Sequence, residues 1–64
     1  MQIYLFSDSE VWHAEIHAKT FIGALRKARM QFGIGVPLRL VAENGANRDY
    51  RAYTGYECSI RLVY

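Results

Sequence analysis

Apolar and polar residues alternate over residues 11–18, VWHAEIHA. Trp12, Ala14, Ile16 and Ala18 share one parity, and Val11, His13, Glu15 and His17 share the other. A period of two belongs to a strand, here one with a wet face bearing the histidines and Glu15. Upstream, residues 2–6 form a run of strand-forming residues, QIYLF, closed by the turn-forming Ser7-Asp8-Ser9. The short polar link between the two runs predicts a hairpin.

From Thr20 the period changes. Phe21, Leu25, Ala28 and Phe32 recur at helical spacing with Ala24 beside them, and Arg26, Lys27, Met30 and Gln31 fill the remaining arc. Thr20 is suited to cap the helix, because its hydroxyl accepts from a first-turn N–H. Gly33 and Gly35 supply the stop, and Pro37 reinforces it. Gly23 costs the first turn about 1 kcal/mol relative to Ala, so packing must hold that end.

Residues 36–43 read as a strand with Leu38, Leu40 and Ala42 on one face, followed by the strongest turn signal of the chain, Asn44-Gly45-Ala46-Asn47. Residues 50–54 and 57–64 are two more strands, broken or bulged at Thr54-Gly55. In the last, Cys58, Ile60, Leu62 and Tyr64 oppose Ser59, Arg61 and Val63. The expected order is ββαβββ, or ββαββ if the final segments make one bent strand. The fold class is α+β: a single antiparallel sheet of four to five strands with one helix packed on one face.

At 64 residues the chain is expected to be one compact domain, residues 1–64, near the lower limit for independent folding. With 52% hydrophobic residues it can build a thin core but has little room for a deep pocket. That balance favours a binding module or an oligomer over a self-contained enzyme. Cys58 is the only cysteine, so there is no intrachain disulfide and no cysteine cluster for zinc. A small domain without such staples is expected in a reducing cytoplasm. No apolar run approaches the roughly 18 residues of a membrane span, and MQIYLFSDSE lacks the basic start of a signal peptide.

The formal charge of +2, from eight Lys+Arg and six Asp+Glu, is too mild to imply nucleic-acid binding by itself. Its distribution is more informative. Asp8, Glu10 and Glu15 lie in the first quarter, and Lys19, Arg26, Lys27, Arg29 and Arg39 follow.

His13-Ala-Glu15-Ile-His17 superficially matches the zinc-protease pattern H-E-x-x-H, with the glutamate one place late. That pattern needs a helix to bring both histidines to one metal. On a strand they stand about 13 Å apart at roughly 3.3 Å per residue, too far to share an ion at about 2 Å. Ser7, Asp8 and Ser9 with either histidine have no visible positioning element. Gly33-Ile34-Gly35 follows a helix rather than opening one, so it is no phosphate loop. The expectation is a non-enzyme with no metal and no cofactor.

Surface chemistry remains. Five of the nine aromatic residues are tyrosines, and Tyr50, Tyr53, Tyr56 and Tyr64 are interleaved with Arg48, Arg51 and Arg61. Tyrosine is a good strand former, so these rings could simply cover the sheet. Tyrosine and arginine are also the residues of recognition surfaces and of base-stacking platforms. Both readings stand at this level. The candidate partner contacts are Arg26, Lys27 and Arg29 on the helix, and Arg48, Tyr50, Arg51, Tyr53 and Tyr56 on the strands. The expected partner is a protein complex, with nucleic acid as the alternative and a homodimer through exposed edge strands as a third.

Two resemblances bear on this. Residues 4–29, with a hairpin ending in WHAEI and then TFIGALRKAR, resemble the opening of HicB-type antitoxins, although the glycine-rich link those proteins carry before the helix is absent. By size and order of elements, the whole chain is similar to compact phage-encoded anti-CRISPR proteins. That likeness implies a stoichiometric, non-catalytic inhibitor that occupies a surface of a bacterial CRISPR effector complex.

Overall fold

The computed structural model describes residues 1–9 and 13–63. The order is β1 (Gln2–Asp8), β2 (Ala14–Ala18), α1 (Phe21–Phe32), β3 (Arg39–Asn44), β4 (Asn47–Arg51) and β5 (Glu57–Leu62). All five strands join one antiparallel sheet in the order β2-β1-β5-β4-β3, so the chain is an α+β domain of ββαβββ order. The last strand pairs with the first, which puts β1 and β5 at the centre. β2 and β3 are left at the edges.

Register assigns the faces. Tyr4 lies across from Ile16 and Leu62, Phe6 from Ala14 and Ile60, and Tyr50 from Cys58. These residues point to one side, where α1 packs against β2, β1 and β5. Tyr4, Phe6, Ile16, Ala18, Ile60, Cys58 and Tyr50 are buried there with Ala24 and Ala28 of the helix. The ring of Phe21 meets Tyr4 edge-on with centroids 5.0 Å apart, and Phe32 stacks on Phe6 at 5.1 Å. The alanines bring the helix close, and the two phenylalanines fill the space at either end.

The helix boundaries follow the expected chemistry. The Thr20 hydroxyl accepts from the Gly23 N–H at 3.0 Å, a cap of about 1 kcal/mol. Gly33 ends the helix at φ 66, where an L side chain would be strained. Gly23 has a positive reason to be glycine. A Cβ there would lie 3.3 Å from Thr20 Oγ1 and 3.6 Å from the Ala18 methyl, so its absence lets the first turn settle on β2. Gly45, at φ 59, opens the two-residue β3–β4 turn.

The expected bounds need correction, beginning with Ser7 and Asp8, which are not in a turn but pair with Ser59 and Cys58 as the end of β1. The strand expected over residues 36–43 begins only at Arg39, because residues 33–38 run from the helix end past Pro37 before pairing starts. Within β3, a register shift between Leu40 and Ala42 puts Leu40 across from Tyr50 but Ala42 across from Asp49. Those two residues therefore take opposite faces, not one. The strand expected over 50–54 is β4, Asn47–Arg51, and residues 52–55 turn toward β5 with the Gly55 N–H bonded to the Ala52 carbonyl at 3.0 Å. The readings of Glu10, Val11, Trp12 and Tyr64 lie outside the described residues.

Candidate partner-binding surface

The eight candidate residues do not converge on one patch. Their places in the fold divide the tyrosines. Tyr50 points to the helix side and is 6% exposed, whereas Tyr53, on the β4–β5 turn, is 84% exposed. Tyr56 is half-buried and its hydroxyl donates to the Asp8 carboxylate, tying the β5 entry to the end of β1. Tyr50 is thus core, Tyr56 is a brace, and among the described tyrosines only Tyr53 presents its ring to solvent.

The arginines divide in the same way. The Arg48 guanidinium lies 4.1 Å from the centroid of the Phe21 ring, a cation–π contact that closes the start of the helix. Arg29 donates to the carbonyls of Ile34 at 3.4 Å and Val36 at 3.2 Å, holding the chain after the helix. Lys27 donates to the His17 carbonyl on β2. Arg51 makes a two-pronged bond to Glu57 Oε2, at 3.0 Å from Nε and 2.8 Å from Nη2. Arg26 is exposed on the outer face of α1, between Ile22 and Met30, which are 63% and 86% exposed.

Beyond the reach of α1, the β3 end of the sheet forms a shallow groove. It is lined by Arg39, Leu40 and Val41 of β3 and by Arg51, Tyr53 and Gly55 at the β4–β5 turn. Leu40 and Val41 are 44% and 45% exposed. Three apolar side chains flanked by two arginines make up the anchor-and-rim composition of a protein contact. Glu57 fixes the Arg51 fork, so little rotamer freedom is lost there on binding. Arg39, Leu40 and Val41 were absent from the sequence-level candidates. Local alternation marks them only as strand residues, and their exposure comes from β3 being the last strand of the sheet.

Over β4 and β5 the sheet face opposite the helix is polar. Ser59 donates to Asp49 Oδ1 at 2.6 Å and Asn47 donates to the same oxygen at 2.9 Å, so that oxygen is held by neighbours on β5 and β4. The strand aromatics Tyr4, Phe6 and Tyr50 all face the other way. No base-stacking platform is built on the described strands.

His17 Nε2 lies 2.7 Å from Glu15 Oε2 on β2, while His13 stands just before the strand and lines the polar depression of the open face with Ser7 and Asp49. The two histidines face different surroundings. Among the described residues no three His, Cys, Asp or Glu side chains gather as a metal would require. Burial, with Asp8 and then Asp49 adding to it, pushes the Cys58 thiol up to about 11. It is an unreactive core group at neutral pH. Burial likewise raises the Tyr50 phenol, against the opposing pull of Arg48.

Among the described residues no helix is long and apolar enough to cross a membrane. No family model, curated protein or solved structure matches the chain.

Proposed function

We propose that the protein is a non-enzymatic binding module that docks on another protein through the β3 end of its sheet. Leu40, Val41 and Tyr53 are the anchors, and Arg39 and Arg51 are the rim. The observation that carries this reading is the pair of half-exposed aliphatic residues on an edge strand beside an aromatic ring that is 84% exposed. A chain of 64 residues has little stability to give away, so holding such side chains in water suggests a purpose outside the fold. The likeness in size and layout to phage-encoded anti-CRISPR proteins supports a finer form: a stoichiometric inhibitor of a bacterial defence complex acting in the cytoplasm.

Affinity capture from bacterial lysate, repeated over a range of salt, tests this. The expected result is one protein complex retained in stoichiometric amount by the wild type and lost with Tyr53→Ala. The competing reading, a nucleic-acid binder, draws on α1, whose charged residues Arg26, Lys27 and Arg29 are all cations. Titration with single- and double-stranded oligonucleotides separates the two. Phosphate binding falls steeply with salt, and binding that persists in low salt and is abolished by Arg26→Ala would replace the protein-docking reading.

A further inference from the structure

The two edges of the sheet differ in kind. β3 is bulged between Leu40 and Ala42, and its Arg39 lies across from Arg51. A strand with a broken period cannot match another residue for residue. β2 has no register shift along its pairing with β1. It has no proline, and its charges all point to the open face. The Ile3 carbonyl accepts from the Val63 N–H on the β5 side at 2.9 Å. Ile3 and its β2 partner His17 therefore form a non-hydrogen-bonded pair, as do Leu5 and Glu15 two places on. The main-chain N–H and C=O groups of Glu15 and His17 consequently point outward along the free edge. Lys27 reaches the His17 carbonyl there, which confirms its direction.

From this geometry we propose that β2 pairs with β2 of a second copy, antiparallel and centred on Ile16, to give one continuous sheet of twice five strands. In that register Glu15 faces His17 of the second copy and His17 faces its Glu15, while Ala14 faces Ala18. Each opposed pair shares a face, because Ala14, Ile16 and Ala18 point to the helix side and Glu15 and His17 to the open side. The outward main-chain groups of Glu15 and His17 then make two closely spaced hydrogen-bond pairs. The carboxylate–imidazole contact that exists within one strand at 2.7 Å recurs between strands, twice. Two helix residues approach this edge: Gly23, which has no side chain, and Lys27, whose long stem can swing aside. The proposal is independent of the docking groove. It would place the two β3 ends at opposite sides of the assembly, about 43 Å apart at roughly 4.8 Å per strand.

Register-specific cross-linking tests it. Opposed residues of a hydrogen-bonded pair have Cα atoms about 5.5 Å apart, within disulfide reach. Glu15 to Glu15, or His17 to His17, would be about 8–9 Å apart, beyond it. Glu15→Cys and His17→Cys are both at exposed positions, and Cys58 is buried. Upon mild oxidation, a mixture of the two variants is expected to give a covalent dimer, and each alone is expected to give none. Sedimentation velocity of the unmodified protein should show a dimer fraction rising with concentration. Glu15→Lys should weaken that association about tenfold by removing both carboxylate–imidazole contacts between the strands, and Glu15→Lys combined with His17→Glu should recover it. A mixture that cross-links no more than the single variants with both cysteine variants folded, or an unmodified protein that remains monomeric at about millimolar concentration, overturns the proposal.

Discussion

Tyr50 and Tyr53 are three residues apart and chemically identical, yet the fold assigns them opposite roles, and truncating each to alanine measures the difference. Tyr50 is 6% exposed, packed among the buried core residues of the helix side. An aromatic side chain buries at least about 150 Å², worth roughly 3–4 kcal/mol at about 25 cal/mol per Å². That agrees with the 3–5 kcal/mol typical of aromatic-to-alanine changes in cores. A domain of 64 residues has a total stability of about 3–10 kcal/mol. Tyr50→Ala should therefore remove between about a third of it and all of it, lowering the urea midpoint sharply or leaving the protein largely unfolded at 25 °C. Tyr53, 84% exposed, should shift stability by no more than about 0.5 kcal/mol. Urea unfolding followed by far-UV circular dichroism reads both, with an unchanged slope for Tyr53→Ala as the sign that only the folded surface was altered. A loss above about 1 kcal/mol for Tyr53→Ala, or below about 1 kcal/mol for Tyr50→Ala, would refute the assignment of faces.

The remaining predictions concern the helix and the buried titrating groups. Thr20→Ala should cost about 1 kcal/mol by removing the acceptor for the Gly23 N–H, and Gly33→Ala a similar amount through its φ of 66; thermal melts of both variants give the values. The folded Cys58 thiol titrates near 11 against an ordinary value of 9.0, so the unfolded chain releases that proton first. This contribution to stability is complete below about pH 9 and declines as pH rises toward 11. Urea midpoints across that window should fall, and Cys58→Ala should flatten part of the slope. In native protein at pH 8 the thiol should react with a disulfide reagent only as fast as the chain opens, and promptly in denaturant.

How far the sequence reached depends on the range of the interactions involved. The helix from Phe21 to Phe32 and its caps were legible because Thr20, Gly33 and the spacing of Phe21, Leu25, Ala28 and Phe32 are local signals. So were the face of β2 and the Asn44–Asn47 turn. The shift near Val41 was not, since a bulge depends on the partner strand as much as on its own residues. The tyrosines posed the same problem. Interleaved Tyr and Arg residues gave two readings, and the choice between core and surface needed the register that sets Tyr50 against Cys58. Arg29, Arg48 and Tyr56 looked like contact residues, yet they bond within the fold. Leu40 and Val41 were passed over because edge position is a property of strand order, β2-β1-β5-β4-β3, which no local pattern contains.

The central claim, docking of a protein partner at the β3 groove, is tested most directly by titrating the captured partner with wild type, Tyr53→Ala and Arg26→Ala in a calorimeter. Tyr53→Ala should weaken binding roughly thirtyfold, the equivalent of the 2 kcal/mol or more lost when a buried hot-spot aromatic is truncated. Arg26→Ala, on the far side of α1, should bind like wild type. Unchanged affinity for Tyr53→Ala together with a large loss for Arg26→Ala would contradict the account and move the contact surface to the helix.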